Sequence, residues 1–356
     1  MSLIQIYTAG KSNFLIDLVK GCLVMIRFAV VGTNWISHSF CQAAHKTGKL
    51  KLEAVYSRTL IKAREFGVQY QVSSVYDDLQ KIAENPAIDA VYIASPNSLH
   101  APQADLFLRH GKHVIGEKPL ASNIDEVEKL IATAKQHNVV LFEAVKTCYL
   151  PNLKVCAEAL PSLGKLRKAH LSYCQYSSRY QQYLNGDNPN TFNPAFSNGS
   201  LMDIGIYPLN FAIELFGPPK TFTASGVLLD SGVDVHGSLT LNYDEFEVVI
   251  SHSKVSNGFA PSEIQGENGS LLIENISDCD DVTLMKKESK QQISKKILTV
   301  PQAINTMQYE AACFAELVEE QQINHKGLEQ SLLTSKILTE ARKMIGVVYP
   351  ADHLIV

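Results

Sequence analysis

The sequence lacks a hydrophobic run long enough to cross a membrane. In its 356 residues, no apolar stretch approaches the roughly 20 residues that a transmembrane helix needs. It also lacks an excess of positive charge, since 32 Lys and Arg stand against 36 Asp and Glu, a formal net charge of -4. A general nucleic-acid binder needs a basic surface to follow the phosphates. Both absences argue against membrane and nucleic-acid partners.

The cysteines and histidines lack the spacing of a metal site. The seven cysteines form no Cys-x-x-Cys pair, and the eleven histidines form no His-Glu-x-x-His motif. We therefore expect no metal cofactor. A chain of this size does not need disulfide bonds for stability, so the odd number of cysteines predicts reduced thiols and a cytoplasmic location.

The first 24 residues lack the features of a secretory signal. Asp17 and Lys20 interrupt their apolar stretch, and no clean cleavage site follows. The segment from Met25 to Gly32 looks like the natural start of a nucleotide-binding domain. We interpret residues 1–24 as a non-essential N-terminal extension.

What the chain does contain is a regular alternation of short apolar runs and helical patterns. Strands are predicted over residues 28–31, 50–56, 68–71, 90–94, 113–115 and 139–142, each separated from the next by a helix or turn. Repeated strand–helix units of this length predict a parallel, doubly wound sheet. The N-terminal half is therefore predicted to be a Rossmann domain over residues 25–147.

The pattern changes after Pro151. Longer runs of alternating polar and apolar residues, separated by turns rich in Gly, Asn and Asp, are typical of antiparallel strands. One long helix is predicted over 201–216, and two more over 302–320 and 327–345. We expect an α/β protein whose second domain, over 148–356, is an α+β unit with a large, mainly antiparallel sheet.

The loop after the first strand keeps only the first glycine of the Gly-x-Gly-x-x-Gly pattern. It reads Gly32-Thr33-Asn34-Trp35-Ile36-Ser37. Such a loop turns tightly and opens a helix whose N-terminus favours a pyrophosphate. Here Gly32 would supply the turn, Asn34 would tolerate unusual backbone angles, and Ser37 would be small enough to pack. A plain strand–helix turn is the alternative, and Trp35 would pack either beside the pyrophosphate or in the core.

The end of the second strand lacks the acidic residue that reads the ribose of NAD. Ser57 and Arg58 stand there instead, about 25 residues after Gly32. Both could hold a 2′-phosphate, with Arg58 stacking on adenine. This favours NADP(H) over NAD(H); the alternative is that Arg58 is a solvated surface residue.

Two later strand ends carry polar turns. Ser95-Pro96-Asn97 with His100 follows one strand, and Glu117-Lys118-Pro119 follows the next. Ligands of open α/β sheets bind outside the carboxyl ends of the strands. Lys118 therefore stands where the reactive end of a cofactor would lie, although an ordinary turn with a solvated Glu-Lys pair has the same local sequence.

In their order and spacing, these segments resemble the Gfo/Idh/MocA family. In the second half, Gly199 to Tyr207 and Ile264 to Gly269 extend the resemblance, which covers nearly everything after residue 25. It implies a nicotinamide cofactor, an open sheet in the second domain, and a homodimer or homotetramer formed through that sheet. Tyr207 stands where many relatives carry histidine, as in the branch that contains glucose–fructose oxidoreductase and dihydrodiol dehydrogenase.

Asp203 and Tyr207 are four residues apart on a predicted helix, so their side chains share a face. If that face meets Lys118, three polar groups converge beside the nicotinamide. We predict Tyr207 as the acid/base, Lys118 as its electrostatic partner and a substrate ligand, and Asp203 as the orienting group. Lys118 should lower the pKa of the Tyr207 phenol. Two alternatives stay open: Lys118 is itself the proton carrier, or Asp203 and Tyr207 are only a helix cap and an interface residue.

The remaining candidates have supporting roles. Ser95, Pro96 and Asn97 would lie under the ribose and nicotinamide, and Glu117 near the ribose hydroxyls. His100 is placed with them at the cofactor site, where it is expected to fix the turn or to pack against the following helix rather than to act chemically. His113 is expected to be a satisfied strand histidine. Weaker substrate-side candidates are Lys146, Tyr149, Arg179 and Asn193.

The function predicted from all of this is hydride transfer between NAD(P) and a small polyhydroxylated alcohol, aldehyde or sugar. The competing class is a non-catalytic protein of the same fold that senses the cofactor or a sugar. A third is an enzyme that cleaves a glycosidic bond through transient oxidation. The presence of the lysine, aspartate and tyrosine together favours the oxidoreductase over the sensor.

Overall fold

Two β-sheets organise the protein. The structure is a computed structural model that describes residues 25–289 and 292–353. The predicted N-terminal extension, residues 1–24, lies outside the described residues. Within the described residues, no helix is both long and apolar enough to cross a membrane.

The first sheet has six parallel strands. They are β1 (Ile26–Val31), β2 (Leu50–Tyr56), β3 (Val75–Tyr76), β4 (Ala90–Ile93), β5 (His113–Glu117) and β6 (Leu141–Ala144). The helices between them are α1 (Trp35–Lys46), α2 (Leu60–Gln69), α3 (Leu79–Ala83), α4 (His100–Arg109) and α5 (Ile124–His137). The strand order, β3-β2-β1-β4-β5-β6, is that of a doubly wound Rossmann sheet, which confirms the predicted fold.

One predicted strand of this sheet is wrong. Residues 68–71 are not a strand: α2 continues to Gln69, and β3 lies further along the chain. The helix ends in a turn at Gln71, whose φ is 59°. Inside this helix, a Cβ on Gly67 would lie 2.6 Å from the carbonyl oxygen of Val72. The chain therefore folds back tightly at the helix end, and local alternation of polar and apolar residues does not mark a strand there.

The second sheet has eight strands. They are β7 (Leu166–Cys174), β8 (Thr221–Leu228), β9 (Asp234–Asn242), β10 (Glu247–Ser253), β11 (Ser262–Gly266), β12 (Gly269–Glu274), β13 (Asp281–Lys287) and β14 (Ile293–Ile297). Their order is β14-β13-β12-β11-β7-β10-β9-β8. Only β7 and β10 pair in parallel; the other neighbours are antiparallel, as predicted. The last strand of this sheet lies at Ile293–Ile297.

The helices of this half are α6 (Pro151–Ala159), α7 (Tyr180–Leu184), α8 (Ile206–Phe216), α9 (Met307–Glu319) and α10 (Lys326–Ile345). Sequence patterns did not predict α6 or α7. The predicted helix over 201–216 begins with a π-helical turn, Leu201–Gly205, which leads into α8. The turn matters because it carries Asp203.

The second sheet is covered on one face. Inward residues such as Leu171, Val248 and Ile250 are buried in the core under α8 and α10, whereas their neighbours His170 and Val249 are exposed or half-buried. α9 leaves this half and packs on the first sheet, with Met307 and Phe314 in the same core as Phe142. The chain thus crosses between the two sheets more than once, and a cleft lies between them.

Candidate active site

The loop after β1 keeps the geometry of a dinucleotide-binding turn. Gly32 has φ +105°, and a Cβ there would lie 2.8 Å from the carbonyl oxygen of Ala94, so only glycine is accommodated. Asn34 has φ −91°, and its side chain caps α1 by accepting hydrogen bonds from the amides of Ile36 at 3.0 Å and Ser37 at 3.1 Å. The predicted unusual backbone at Asn34 is therefore wrong: this position needs no glycine.

Two residues beside this loop, Trp35 and Arg58, are exposed to solvent. Trp35 is 76% exposed, so it is not a core residue. Ser57 is buried at the end of β2, with its hydroxyl 3.5 Å from that of Thr33, while Arg58 is exposed. The tight turn at Gly32 and the polar side chains beside it, at Ser57 and Arg58, fit an NAD(P) cofactor. Residues of the loop and of the β2 end would hold its phosphates and adenosine.

The β4 and β5 ends are joined through buried hydrogen bonds. His100 is buried, with Nε2 2.8 Å from the carbonyl oxygen of Ser95 and Nδ1 2.8 Å from that of Pro119. It therefore fixes both turns, as expected. The Ser95 hydroxyl donates to Gln103 in α4 at 2.7 Å, and the Asn97 amide donates to the Ser197 carbonyl at 2.9 Å, which ties this edge to the second half of the chain. Pro96 opens the turn between them.

His113 is structural too. Its Nδ1 accepts a hydrogen bond from the amide of Val140 at 2.9 Å. That contact joins β5 to the segment before β6, as expected for a satisfied strand histidine.

A cleft of about 670 Å³ lies at these strand ends. Residues of both sheets and of α9 line it. Trp35 and Ile36 stand at one side, and Glu117, Lys118, Asp203 and Tyr207 at another. The structure therefore brings together, from segments 85 residues apart, the three residues predicted to act on the substrate.

Lys118, Asp203 and Tyr207 on the cleft wall meet a fourth side chain, Lys254, which lines the neighbouring cavity. We call these four residues the lysine cluster: Lys118, Asp203, Tyr207 and Lys254. Lys118 Nζ lies 2.9 Å from Asp203 Oδ1 and 2.8 Å from the Asp203 carbonyl oxygen. Lys254 forms an ion pair with the other carboxylate oxygen, Oδ2. Lys118 Nζ is 5.0 Å from the centroid of the Tyr207 ring. The π-helical turn places Asp203 between the two ammonium groups, and such turns are frequent at functional sites.

The charges of the cluster stabilise each other. Burial lowers the pKa of the Lys118 ammonium, but the Asp203 carboxylate and, to a smaller extent, the nearby Tyr207 and Glu117 side chains raise it more, so it lies above its ordinary value. Burial raises the pKa of the Asp203 carboxyl, yet Lys118 and Lys254 lower it further, and the net pKa is below its usual range. This lysine and this carboxylate are both charged at neutral pH.

The pKa of Tyr207 does not follow the sequence expectation. Lys118 lowers it, as predicted, but burial of the phenol raises it by more, and Glu117 and Tyr173 add to the increase. The net pKa is therefore above its ordinary value, not below it. Tyr207 is a protonated phenol at neutral pH, held edge-on to the Tyr173 ring, with the centroids 5.6 Å apart.

Two more carboxyl groups lie beside the cluster. Glu117 accepts a 2.6 Å hydrogen bond from the Tyr92 hydroxyl, and burial raises its pKa despite the nearby Lys118. Glu310, from α9, has no exposed surface, and neither of its carboxyl oxygens has a hydrogen-bond partner among the described residues. Burial and the charge of Glu117 raise the pKa of Glu310 well above its ordinary value.

The weaker substrate-side candidates separate into two pairs. Lys146 lines the cleft as an ion pair with Asp278, and Arg179 lines a neighbouring polar cavity of about 590 Å³ that also touches Lys254. Tyr149 stacks on Phe142 in the core of the first sheet, with the centroids 5.1 Å apart. Asn193 caps a short turn by accepting from the amide of Ala195 at 2.9 Å. Of the four candidates, Lys146 and Arg179 line these two cavities.

Sequence reasoning missed Lys254 and Glu310. Lys254 directly follows β10, and only the parallel pairing of β10 with β7 places that strand end beside the cleft. Glu310 lies on an amphipathic helix on which a glutamate resembles any solvated residue. No local pattern marked either position.

Comparison with known proteins gives a consistent result. Residues 26–145 match the model of an oxidoreductase family with an NAD-binding Rossmann fold, and residues 161–272 match the GFO/IDH/MocA C-terminal domain. The chain is 56% identical over 330 residues to the uncharacterized oxidoreductase YgjR of Escherichia coli K12, covering 93% of this chain and 99% of that protein. It is 46% identical over 331 residues to scyllo-inositol 2-dehydrogenase (NADP(+)) IolU of Bacillus subtilis, covering 92% and 100%.

Solved structures share the fold at lower identity. KijD10, a 3-ketoreductase from Actinomadura kijaniata in complex with NADP and TDP-benzene, superposes with a TM-score of 0.81 at 22% identity and covers 91% of this chain and 99% of its own. An aldose-aldose oxidoreductase from Caulobacter crescentus has a TM-score of 0.77 at 21% identity, covering 90% and 97%. At these identities the likeness concerns the fold.

Proposed function

The chain belongs to the Gfo/Idh/MocA oxidoreductase family, and from that premise we propose that it transfers hydride between NADP(H) and a small polyhydroxylated alcohol, aldehyde or sugar. The single observation that carries this proposal is the convergence of Lys118, Asp203 and Tyr207 on one wall of the cleft. Hydride transfer to or from a carbinol carbon needs a partner that moves a proton. These three side chains provide one.

Each member of the triad has a part in the proton movement. A nicotinamide cofactor, when bound, would supply or accept the hydride. The Tyr207 hydroxyl gives a proton to the substrate oxygen in the reductive direction, since the phenol is protonated at neutral pH. Lys118 stabilises negative charge that develops on that oxygen, and Asp203 holds Lys118 in place through the 2.9 Å ion pair. In the alternative assignment Lys118 itself carries the proton, and Tyr207 orients the substrate.

The preference for NADP(H) rests on Ser57 and Arg58. No carboxylate stands at positions 57 and 58 to bind the ribose hydroxyls of NAD, and an exposed arginine is available for a 2′-phosphate. The B. subtilis relative is named for NADP(+), which supports the same preference. That name also supports a cyclic polyol as one substrate to test.

An assay panel tests the function directly. Purified protein is given scyllo-inositol, aldoses and a trans-dihydrodiol with NADP+ and NAD+, and the corresponding ketones and aldehydes with NADPH and NADH. We expect turnover of at least one polyhydroxylated substrate, faster with the phosphorylated cofactor. Cofactor binding without turnover of any substrate would favour the sensor instead.

We also propose that the protein is a homodimer or homotetramer in the cytoplasm, assembled through the uncovered face of the second sheet. Half-buried Val249, Leu272 and Met285 lie on that face, opposite the packed core, and the six described cysteines are free. A stable interface of this kind buries more than about 1,000 Å². Sedimentation of a monomer at micromolar concentration would contradict the assembly.

A further inference from the structure

Lys254 is a buried lysine that no sequence motif marks. Its side chain is 7% exposed, and it forms an ion pair with Asp203 Oδ2. Lys118 takes the other oxygen, Oδ1. Each oxygen of this one carboxylate therefore has its own ammonium group. Burying a lysine is costly unless it is paired, so a second lysine on a carboxylate that already has a partner calls for an explanation.

The backbone holds Lys254 in place. Its amide donates to the carbonyl oxygen of Val235 at 2.8 Å, and its own carbonyl oxygen accepts from the amide of Ser177 at 2.8 Å. The residue is thus fixed between β9 and the segment after β7, at the end of β10. A lysine fixed by its backbone on both sides presents its charge to Asp203 at a defined position.

We propose that Lys254 is a positioning residue of the active site, which holds the second oxygen of Asp203 and so keeps the positive charge of Lys118 available to the reacting oxygen. The proposal rests on the proposed hydride transfer. With a single lysine, Asp203 would pair with Lys118 through both oxygens and cancel its field. With two lysines, the carboxylate is shared and one unit of positive charge remains.

The count of charges supports this role. Tyr207 is faced by Lys118 and Glu117 from β5 and its turn, by Tyr173 from β7, and by Asp203 from the π-helical turn. If Glu117 is ionised, the group of Lys118, Lys254, Asp203 and Glu117 is neutral; if Glu117 is protonated, the group carries +1. Removing Lys254 makes it one unit more negative in either case. Negative charge beside the phenol opposes both its ionisation and an oxyanion on the substrate.

Kinetics of two variants test the role. Lys254→Met should lower kcat by roughly tenfold to a hundredfold, less than the 10²–10³-fold lost with a direct donor to an oxyanion. KM and the NADPH dissociation constant, measured by fluorescence, should change little. The limb of the pH profile that reports the phenol should move to higher pH by about one unit. Lys254→Arg should restore both kcat and the profile. Lys51→Met is the control, because Lys51 is an exposed lysine paired with Glu53.

A second readout does not need turnover. In protein labelled with ¹³Cγ-aspartate, the Asp203 resonance is identified by its loss in Asp203→Asn. Its titration midpoint should be higher in Lys254→Met than in the wild type, and unchanged in Lys254→Arg. If the wild type turns over no substrate, the proposed function fails. The titration still shows whether Lys254 stabilises the ionised carboxylate of Asp203.

Three results would overturn the proposal. They are a wild-type pH profile in Lys254→Met, a lowered kcat that arginine does not restore, and an aspartate midpoint that does not move. If Lys254→Met does not fold, Lys254→Arg decides alone: a profile displaced from that of the wild type contradicts the role.

Discussion

The lysine cluster and the loop region, Gly32 to Ser37 with Ser57 and Arg58, are organised in opposite ways. In the cluster every charged group is paired within the protein before any ligand arrives, as in the ion pairs of Asp203 with Lys118 and Lys254. In the loop region Trp35 and Arg58 are exposed. Groups that act on a transition state gain from being fixed in advance, whereas groups that recognise a cofactor can be ordered by it. The difference predicts that cluster variants change turnover and loop variants change affinity.

The largest effect should come from breaking the cluster. Lys118→Ala and Tyr207→Phe should each lower kcat on the order of 10²–10⁴-fold, the usual contribution of a positioned acid/base. The NADPH dissociation constant should stay near that of the wild type. The kcat of the double variant should be little lower than that of either single variant, because removing one of the two side chains already disables their joint proton transfer. Steady-state kinetics together with a fluorescence titration measure both quantities.

Lys51→Ala, an exposed lysine in β2, is the control for these variants and should behave as the wild type. Removing Lys118 should also move the phenol's limb of the pH profile upward, because the phenolate loses a nearby positive charge. Either single variant with full turnover of a confirmed substrate would show that the assigned roles are wrong.

A smaller effect, in affinity alone, is expected at the loop region. Arg58→Ala should weaken NADPH binding by roughly tenfold or more, as expected for losing a hydrogen bond to a charged group, and leave NADH binding unchanged. Its kcat at saturating cofactor should equal that of the wild type. Arg64→Ala, an exposed arginine in α2, is the matched control. Equal affinity of the wild type for NADPH and NADH would refute the assignment.

The same contrast shows what sequence could predict. The parallel, doubly wound sheet and the strand over Leu50–Tyr56 were predicted from the alternation of short apolar runs with helical patterns. Gly32 and Lys118 were found because they stand at strand ends, and strand ends are visible in the sequence.

What could not be predicted depends on distant contacts or on burial. Lys254 reaches Asp203 only because β10 pairs with β7, a pairing of strands about 80 residues apart. The direction of the Tyr207 pKa required the extent of burial, which outweighs the charge of Lys118. Asn34 was misread for a different reason: its side chain caps a helix, where the motif suggested an unusual backbone.

The smallest effect concerns Glu310. The charged groups of the lysine cluster are paired within the protein, and this carboxyl group differs from them. Glu310 lies beside Glu117 and Lys146 at the cleft, yet within the described residues it has no hydrogen-bond partner. Its pKa is raised by burial and by Glu117, with Lys146 opposing. A raised pKa means that the folded protein holds this proton more tightly than the unfolded chain does. The stability that Glu310 contributes is therefore complete below the unfolded pKa of about 4.3, and is lost as the pH rises through the folded pKa.

Glu310→Gln should remove this loss of stability with rising pH, because glutamine does not titrate. In the affected range, the free energy of unfolding of the wild type should fall by up to about 1.4 kcal/mol per pH unit from this one group, and the variant should lack this part of the slope. Urea denaturation at pH 5, 6, 7 and 8 measures it. Glu316→Gln, on the same helix with a side chain 60% exposed, should keep the slope of the wild type. Since Glu310 forms no hydrogen bond to the lysine cluster within the described residues, its variant should change kcat less than any substitution within the cluster. Parallel slopes for wild type and Glu310→Gln would show that Glu310 is ionised in the folded protein, with a partner such as Lys146. Glu310 would then be paired within the protein, as the charged groups of the lysine cluster are.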